Sequence, residues 1–314
     1  MIISASYKTD IPAFYGDWFM NRLNAGYCKT INPYGKQVYK ISLKKEDVDG
    51  FVFWTKNLGP FITKLDAIRN LGYPFVVQYT IHSYPRVFEY SVVDAARSIA
   101  YMKSISKSFG SRIAVWRYDP ILFTSITPYE YHLQNFEMLA EKLEGLTDEV
   151  IISFAKIYKK TQYNLNLASD KFSINWFDPN DQVKTNLATD LSKIAREYNM
   201  QLSMCSQKRF LKEGIKNARC IDARRLSDVA GFPIRGKLKG NRPECGCYES
   251  IDIGEYNTCP HGCIYCYAVH NRELAKKRFE EHDSSGEFLH VTENLLSKIN
   301  NDQQRKRGNQ TTLF

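Results

Sequence analysis

Six short apolar, β-rich segments alternate with longer amphipathic ones, and this alternation restricts the fold more than any other feature of the chain. The candidate strands span residues 2–6, 51–54, 75–80, 113–117, 150–154 and 201–205. Candidate helices lie between them, at 13–24, 59–70, 92–108, 127–144 and 183–198. Near-continuous apolar strands are buried on both faces, which argues for a parallel sheet in an α/β fold. Right-handed crossovers curl such units into a full or partial (β/α) barrel of about six parallel strands. Residues 37–43 read as a further strand at the sheet edge.

In β/α barrels the chemistry sits at the carboxyl ends of the strands. Here those ends are polar. They carry Ser4, Ser6 and Asp10, then Trp54, Lys56 and Asn57, then Gln78, Tyr79 and Thr80. Arg117 and Asp119, Ser153 and Lys156, and Cys205 follow. Some of these side chains serve only to cap the next helix or to satisfy loop backbone. The run Trp116-Arg-Tyr-Asp-Pro120 is different, because it brings an Arg and an Asp together over the mouth. Arg117, Asp119, Lys56 and Ser6 are therefore the candidates for cofactor or substrate contacts, with Tyr79 or a cysteine as a hydrogen donor.

Seven of the eight cysteines fall after residue 200, which argues for metal over disulfides in a reducing compartment. Cys28 stands alone and reads as a packed thiol. The run Cys259-Pro-His-Gly-Cys263-Ile-Tyr-Cys266 has C-x3-C-x2-C spacing, with Tyr265 just before the third thiol. Three thiolates on one loop can hold three irons of a [4Fe–4S] cube and leave the fourth open. Another iron–sulfur arrangement is an alternative. So is zinc, with Cys245, Cys247, His261 or His270 as the fourth ligand. The remaining Cys205, Cys220, Cys245 and Cys247 are enough for an auxiliary [4Fe–4S] cluster or an all-thiolate zinc site, or they are unrelated buried thiols.

The spacing of the loop resembles the signature of the radical-SAM superfamily. That likeness implies S-adenosylmethionine chelated at the open iron, a 5′-deoxyadenosyl radical, an external electron donor, and Tyr265 among the cofactor contacts. Over residues 4–268 the chain also resembles a bacterial family of unknown function noted for cysteines near its C-terminus that are similar to this loop. The matching pieces are Ser4-Ala-Ser-Tyr-Lys-Thr-Asp-Ile-Pro-Ala-Phe14, Phe53-Trp-Thr-Lys-Asn57, Trp116-Arg-Tyr-Asp-Pro120 and Cys245-Gly-Cys-Tyr-Glu-Ser-Ile-Asp-Ile-Gly254. The resemblance implies a radical-SAM-like barrel without naming a substrate. A weaker likeness, resting on the loop and basic charge, is to the radical-SAM DNA photoproduct lyases. One departure is the position of the loop. Radical-SAM enzymes carry it after the first strand, whereas here it follows all six candidate strands, as in a circularly permuted barrel. No Gly-Gly-Glu-type SAM motif follows the second strand.

These readings divide the chain into a barrel core at 1–205, a cysteine-rich iron–sulfur region at 206–300, and a mobile tail at 301–314. Helices near 264–278 and 286–299 are expected to close the fold. The formal net charge of +9 and a pI near 9.0 favour a polyanionic partner such as nucleic acid. No apolar run approaches membrane-spanning length, and the first residues lack a signal-peptide pattern, so a cytoplasmic protein is expected. The tail carries Arg305-Lys-Arg307 and ends Gln310-Thr-Thr-Leu-Phe314. The ending resembles the Q-x-x-L-F peptide that binds the bacterial sliding clamp, with Leu313 and Phe314 as apolar anchors and Gln310 at the pocket rim.

The leading expectation is a radical-SAM-type enzyme acting on nucleic acid, in DNA repair or base modification. A radical-SAM enzyme acting on a small molecule or peptide is one rival. A non-catalytic, metal-stapled nucleic-acid-binding protein is the other.

Overall fold

The computed structural model describes residues 1–32, 35, 37–292 and 297. The expected clamp peptide, Gln310, Leu313 and Phe314, and the basic run at 305–307 lie outside the described residues.

All six expected strands form, and they lie in one sheet. In chain order, β1 (Ile2–Ala5) leads to α1 (Ile11–Phe14) and α2 (Gly16–Ala25), and a ribbon of β2 (Tyr27–Ile31) and β3 (Val38–Ser42) follows. Then come β4 (Gly50–Thr55), α3 (Ile62–Asn70), β5 (Phe75–Thr80), α4 (Ala95–Phe109), β6 (Ala114–Ile121), α5 (Tyr129–Leu143) and β7 (Glu149–Phe154). The chain continues through α6 (Lys159–Phe172), α7 (Asp181–Glu197), β8 (Gln201–Met204), β9 (Lys216–Asn217), α8 (Ala223–Ala230), β10 (Ser250–Asp252) and α9 (Arg272–Glu280). The protein is an α/β fold whose main sheet has eight strands, ordered β10-β1-β4-β5-β6-β7-β8-β9, with every pairing parallel. Among the described residues β9 and β10 are edge strands and share no ladder with each other.

Three expectations need correction. Residues 37–43 do not extend the main sheet, because β3 pairs antiparallel with β2 in a separate ribbon. The helix expected near 264–278 starts only at Arg272, whose preceding Asn271 caps it by accepting from Leu274 N. Residues 264–271 instead belong to the cysteine loop, where Ile264 N donates to Phe88 O and Cys266 N to Cys263 O. Residues 286–292 are not helical; Phe288 forms a bridge with Lys29 instead. Most of the rest of that expected helix lies outside the described residues.

The period-2 alternation of the strands explains the two cores. Ile3, Phe51, Phe53, Phe75, Val77, Trp116, Ile152 and Met204 point to the helix side and pack on Trp18, Phe19, Leu65, Phe136 and Leu187. The opposite face begins with Ile2, Val52, Val76, Val115 and Ile151. Ile221 and Leu226 cover that layer. Beneath it, Arg225 of α8 binds Asp148 at 2.9 Å and Glu149 at 2.8 Å. Moving toward the carboxyl ends, the same face turns polar, with Ser4, Gln78, Arg117 and Ser153 all buried. Apolar packing therefore fixes the middle of this face, and buried polar side chains are gathered toward its carboxyl end.

Candidate functional site

The cysteine loop lies over the carboxyl ends of β1, β4 and β5. Asp10, just past β1, caps α1 by accepting from Ala13 N at 2.9 Å. Its other oxygen accepts from Lys56 N at 2.7 Å and pairs with His261 Nε2 at 2.8 Å. Glu89 forms a bridge with Cys263, and Ser91 N donates to His261 O at 2.9 Å. Tyr15 OH donates to Thr258 O, just before Cys259. The segment after β5 thus seats the loop, although sequence reasoning assigned it no role.

Four polar side chains, with Glu89, His82 and Tyr265 buried and Lys56 largely so, meet under the loop. Glu89 accepts from Lys56 Nζ at 2.8 Å, meets His82 Nδ1 at 3.0 Å, and accepts from Tyr265 OH. Lys56 Nζ lies 5.6 Å from the centre of the Tyr265 ring. Burial alone would raise the Glu89 carboxyl, but Lys56 and His82 outweigh it and hold the group well below the usual carboxylate range. Burial pulls Lys56 down, yet Glu89 and then Cys263 push it above the ordinary lysine value. His82 is lowered, by burial and then by the neighbouring ammonium of Lys56. His82 Nε2 is buried without a protein partner, and a polar cavity of about 120 Å³ opens beside His82 and Glu89. Lys56 and Tyr265 were expected at the site. His82 and Glu89 were not, because their loop gave no sign of which strand end it covers.

The three loop thiols feel one another. Burial, then Asp10, then Cys266 and Cys263 push Cys259 well above its ordinary value. Burial also raises Cys263, with the cation of Lys56 opposing and Glu89 and Cys266 adding to it. Burial raises Cys266 too, while the Ala268 N–H, which donates to its sulfur at 3.3 Å, opposes. Of the two histidines considered as a fourth ligand, His261 is engaged with Asp10 and His270 is exposed. Among the described residues no group of three or more His, Cys, Asp or Glu side chains is arranged to hold a metal ion.

A second constellation lies on the same sheet face. Arg117 Nη1 donates to Gln78 Oε1 and to Cys220 Sγ, each at 3.0 Å, and Arg117 Nη2 donates to Asp119. Ser153 also donates to Asp119. Burial would raise the Asp119 carboxyl, but Arg117, the Ser153 hydroxyl and Arg242 hold it below the usual range. The guanidinium of Arg117 lies 5.0 Å from the Trp54 ring, and Trp54 Nε1 donates to Ser4 Oγ at 3.1 Å. Ser4 and Ser6 donate to Asp252 at 2.8 and 2.7 Å. Ser6 is therefore tied to β10.

The four remaining late cysteines are adjacent. Cys205 Sγ lies 3.5 Å from Cys220 Sγ, and Cys247 is close enough to both Cys220 and Cys245 for each to shift it. Contact with Cys247 brings the partly exposed Cys245 thiol down to about 6. Cys220 lowers Cys247, but Cys245 and burial outweigh it and leave that thiol at about 11. Tyr79 is the candidate that the structure sets apart. Alternation turns it to the helix side, away from Gln78 and the mouth, and it is fully buried in that core. Cys28 packs in the same core. Asn57 only caps the next turn, accepting from Gly59 N at 3.1 Å.

The sequence matches the family described as Domain of unknown function (DUF1848) over residues 2–268. The chain belongs to that family. The match takes in the strands, both cysteine sets and the Lys56–Glu89–His82–Tyr265 cluster. No curated protein matches the sequence. Among solved structures, the crystal structure of a D-hydantoinase aligns with a TM-score of 0.30 and 8% identity, over 65% of this chain and 40% of that one. The chain thus spans well under half of that enzyme, and a likeness at that level bears on neither fold nor activity. No helix among the described residues is long and apolar enough to cross a membrane.

Proposed function

We propose that this protein is a radical-SAM-type iron–sulfur enzyme that acts on nucleic acid. The observation that carries the reading is the C-x3-C-x2-C loop seated on the carboxyl ends of β1, β4 and β5, with its three thiols in one another's field. The donor chemistry fits the group. Cys259, Cys263 and Cys266 would hold a [4Fe–4S] cluster as three thiolates, leaving one iron for S-adenosylmethionine. Such a cluster would provide one electron for reductive cleavage of S-adenosylmethionine to methionine and a 5′-deoxyadenosyl radical, with an external reductant restoring that electron.

The rest follows from the residues of the chain. Lys56 places a largely buried positive charge close to Cys263 and lowers the cost of thiolate charge there. Glu89 favours the protonated Lys56 and accepts from the Tyr265 phenol, which holds that ring beside the ammonium. Arg117 and Asp119 offer a fixed cation and anion on the same face for the amino acid end of S-adenosylmethionine or for substrate. In this reading the eight-stranded sheet is a partial barrel, and its polar end is the reaction space. The choice of nucleic acid rests on the net charge of +9.

The test is anaerobic. Purified protein should contain iron and sulfide, and after reduction it should release 5′-deoxyadenosine from S-adenosylmethionine. DNA affinity should fall steeply as salt rises. Reconstituted protein that neither binds S-adenosylmethionine nor cleaves it sinks the enzymatic reading. Cleavage without DNA binding at low salt transfers the reading to a small-molecule or peptide substrate.

A further inference from the structure

We propose that Cys205, Cys220, Cys245 and Cys247 bind a single divalent ion of the zinc class, as a closed tetrathiolate centre that pins the two edges of the main sheet together. Cys205 follows β8, Cys220 follows β9, and Cys245 and Cys247 precede β10. These segments meet where the two edge strands, which share no ladder with each other, come close. Tyr248 N donates to Ile221 O at 3.0 Å, and Ile221 N donates to Cys247 Sγ at 3.4 Å. Among the described residues no ladder joins β9 to β10 across this seam. A metal ion there would do what a ladder does elsewhere in the sheet.

Charge points the same way. Arg117 Nη1 donates to Cys220 Sγ at 3.0 Å, and Arg242 Nη2 donates to Cys205 Sγ at 3.1 Å. Neighbouring thiols and burial push Cys205 and Cys220 up, and the two guanidinium donors directed at their sulfurs oppose this by favouring thiolate charge. Asp119 offsets Arg117 and also faces Arg242, whose outer side is exposed to solvent, so the two guanidinium groups together favour negative charge at the sulfurs. Four thiolates around one divalent ion supply that negative charge within a closed site.

Spacing favours one ion over a cube. Ligands at about 2.3 Å from zinc in a tetrahedron lie about 3.8 Å from one another. The Cys205–Cys220 separation of 3.5 Å is close to this. In a cube each thiolate caps its own iron, and the sulfurs stand farther apart. Gly246 brings the Cys-Gly-Cys turn directly onto the segment after β9. A Cβ there would lie 2.9 Å from Asn217 Nδ2 and 3.2 Å from Ala218 O. The four sulfurs do not already surround a common point, so loading requires side-chain rotation to bring them into a tetrahedron.

This proposal is independent of the radical-SAM reading, and the test separates them. Cys259, Cys263 and Cys266 are replaced together by Ala, and the protein is expressed with both iron and zinc present. Elemental analysis should find zinc in a one-to-one ratio to the chain, and no iron. Cobalt(II) exchanged into the site should give the charge-transfer and ligand-field absorption of tetrahedral thiolate coordination. The additional change Cys245→Ser, at the most exposed of the four thiols, should cost the protein its zinc under dialysis against a chelator that the parent resists. X-ray absorption at the zinc edge of the unaltered protein, blind to iron, should count four sulfur ligands, and it serves if the triple variant does not fold. Iron in place of zinc, neither metal bound, fewer than four sulfurs, or zinc retained after Cys245→Ser overturns the proposal.

Discussion

Replacing Glu89 by Gln keeps the shape of the side chain and removes its charge from the centre of the buried cluster. Lys56 then loses its carboxylate at 2.8 Å, and His82 and Tyr265 keep only a neutral partner. Breaking a buried ion pair from one side costs about 3–5 kcal/mol. The lower end applies, because Lys56 retains some contact with solvent and the amide can still accept one hydrogen bond. An unfolding entropy of about 2.1 cal/mol/K per residue gives about 0.66 kcal/mol/K for 314 residues, so about 3 kcal/mol lowers Tm by about 4–5 °C. Lys56→Met should cost a similar amount by leaving the Glu89 carboxylate without its cation. The double variant should lose about 4 kcal/mol instead of the sum of about 6, a coupling of about 2 kcal/mol between the two sites. The assay is thermal unfolding of all four proteins at equal metal content. The pH dependence has a fixed sign. Glu89 is depressed in the fold, so its contribution is full above the ordinary carboxylate value of 4.5 and is lost as pH falls through the folded value. Lys56 is raised, so its contribution is full below its ordinary 10.5 and is lost as pH rises through the folded value. The gap between wild type and E89Q should therefore be flat near neutrality and close only in acid or strong alkali. An E89Q protein that melts within about 1 °C of wild type, or losses that simply add in the double variant, would refute the reasoning.

Three further outcomes can be checked. Gly254→Ala puts a Cβ 2.0 Å from Ser6 Oγ, so it should destabilise by about 1–3 kcal/mol in urea titration, and a second change, Ser6→Ala, should restore part of this. Asp252 accepts from Ser4, Ser6, Tyr7 N and Gly254 N; Asp252→Asn keeps only one acceptor oxygen and should cost about 1.5–3 kcal/mol, with hydrogen exchange accelerating first in β10. Replacing Leu313 and Phe314 by Ala should abolish capture by the host sliding clamp in a pull-down while DNA affinity is unchanged; equal retention of both forms removes the clamp reading.

The strands that the sequence disclosed are those buried on both faces. β4 and β5 read as Phe-Val-Phe-Trp and Phe-Val-Val-Gln-Tyr because helices cover one side and the Ile221–Leu226 layer the other. β9 and β10 have only two and three residues, too few for a pattern, and their strand character comes from the neighbours they pair with. α6 escaped notice because its buried stripe is only Thr161, Leu165 and Ala168. Within the site, Lys56, Arg117 and Asp119 were legible because strand ends are where side chains converge. Tyr79 shows the limit of that rule. It is one residue from Gln78, and one residue is the difference between the two faces of a strand. Glu89, His82 and Arg242 could not be read at all, since each acts through a loop whose landing place only the tertiary fold decides.

The late position of the cysteine loop has a simple structural cause. β10 pairs parallel with β1 in the register Ile2↔Ser250, Ile3↔Ile251 and Ser4↔Asp252. The chain therefore leaves β10 beside the point where it left β1, at the same end of the sheet. Ser4 and Ser6 hold Asp252 at this junction, and Ile253 N donates to Ser4 O at 3.0 Å. From there the chain runs through Gly254, where a side chain would strike Ser6, and reaches Cys259 over Asp10. A loop at the far end of the sequence thus occupies the ground that a loop directly after β1 would occupy. What must be preserved for this is the β1–β10 contact, not the place of the cysteines in the chain. Loosening Asp252 should therefore disturb the thiol loop more than an equally destabilising change in α7, which packs on the other face of the sheet. Alkylation rates of Cys259, Cys263 and Cys266 under native conditions would show it, and equal rates in the two variants would break the link.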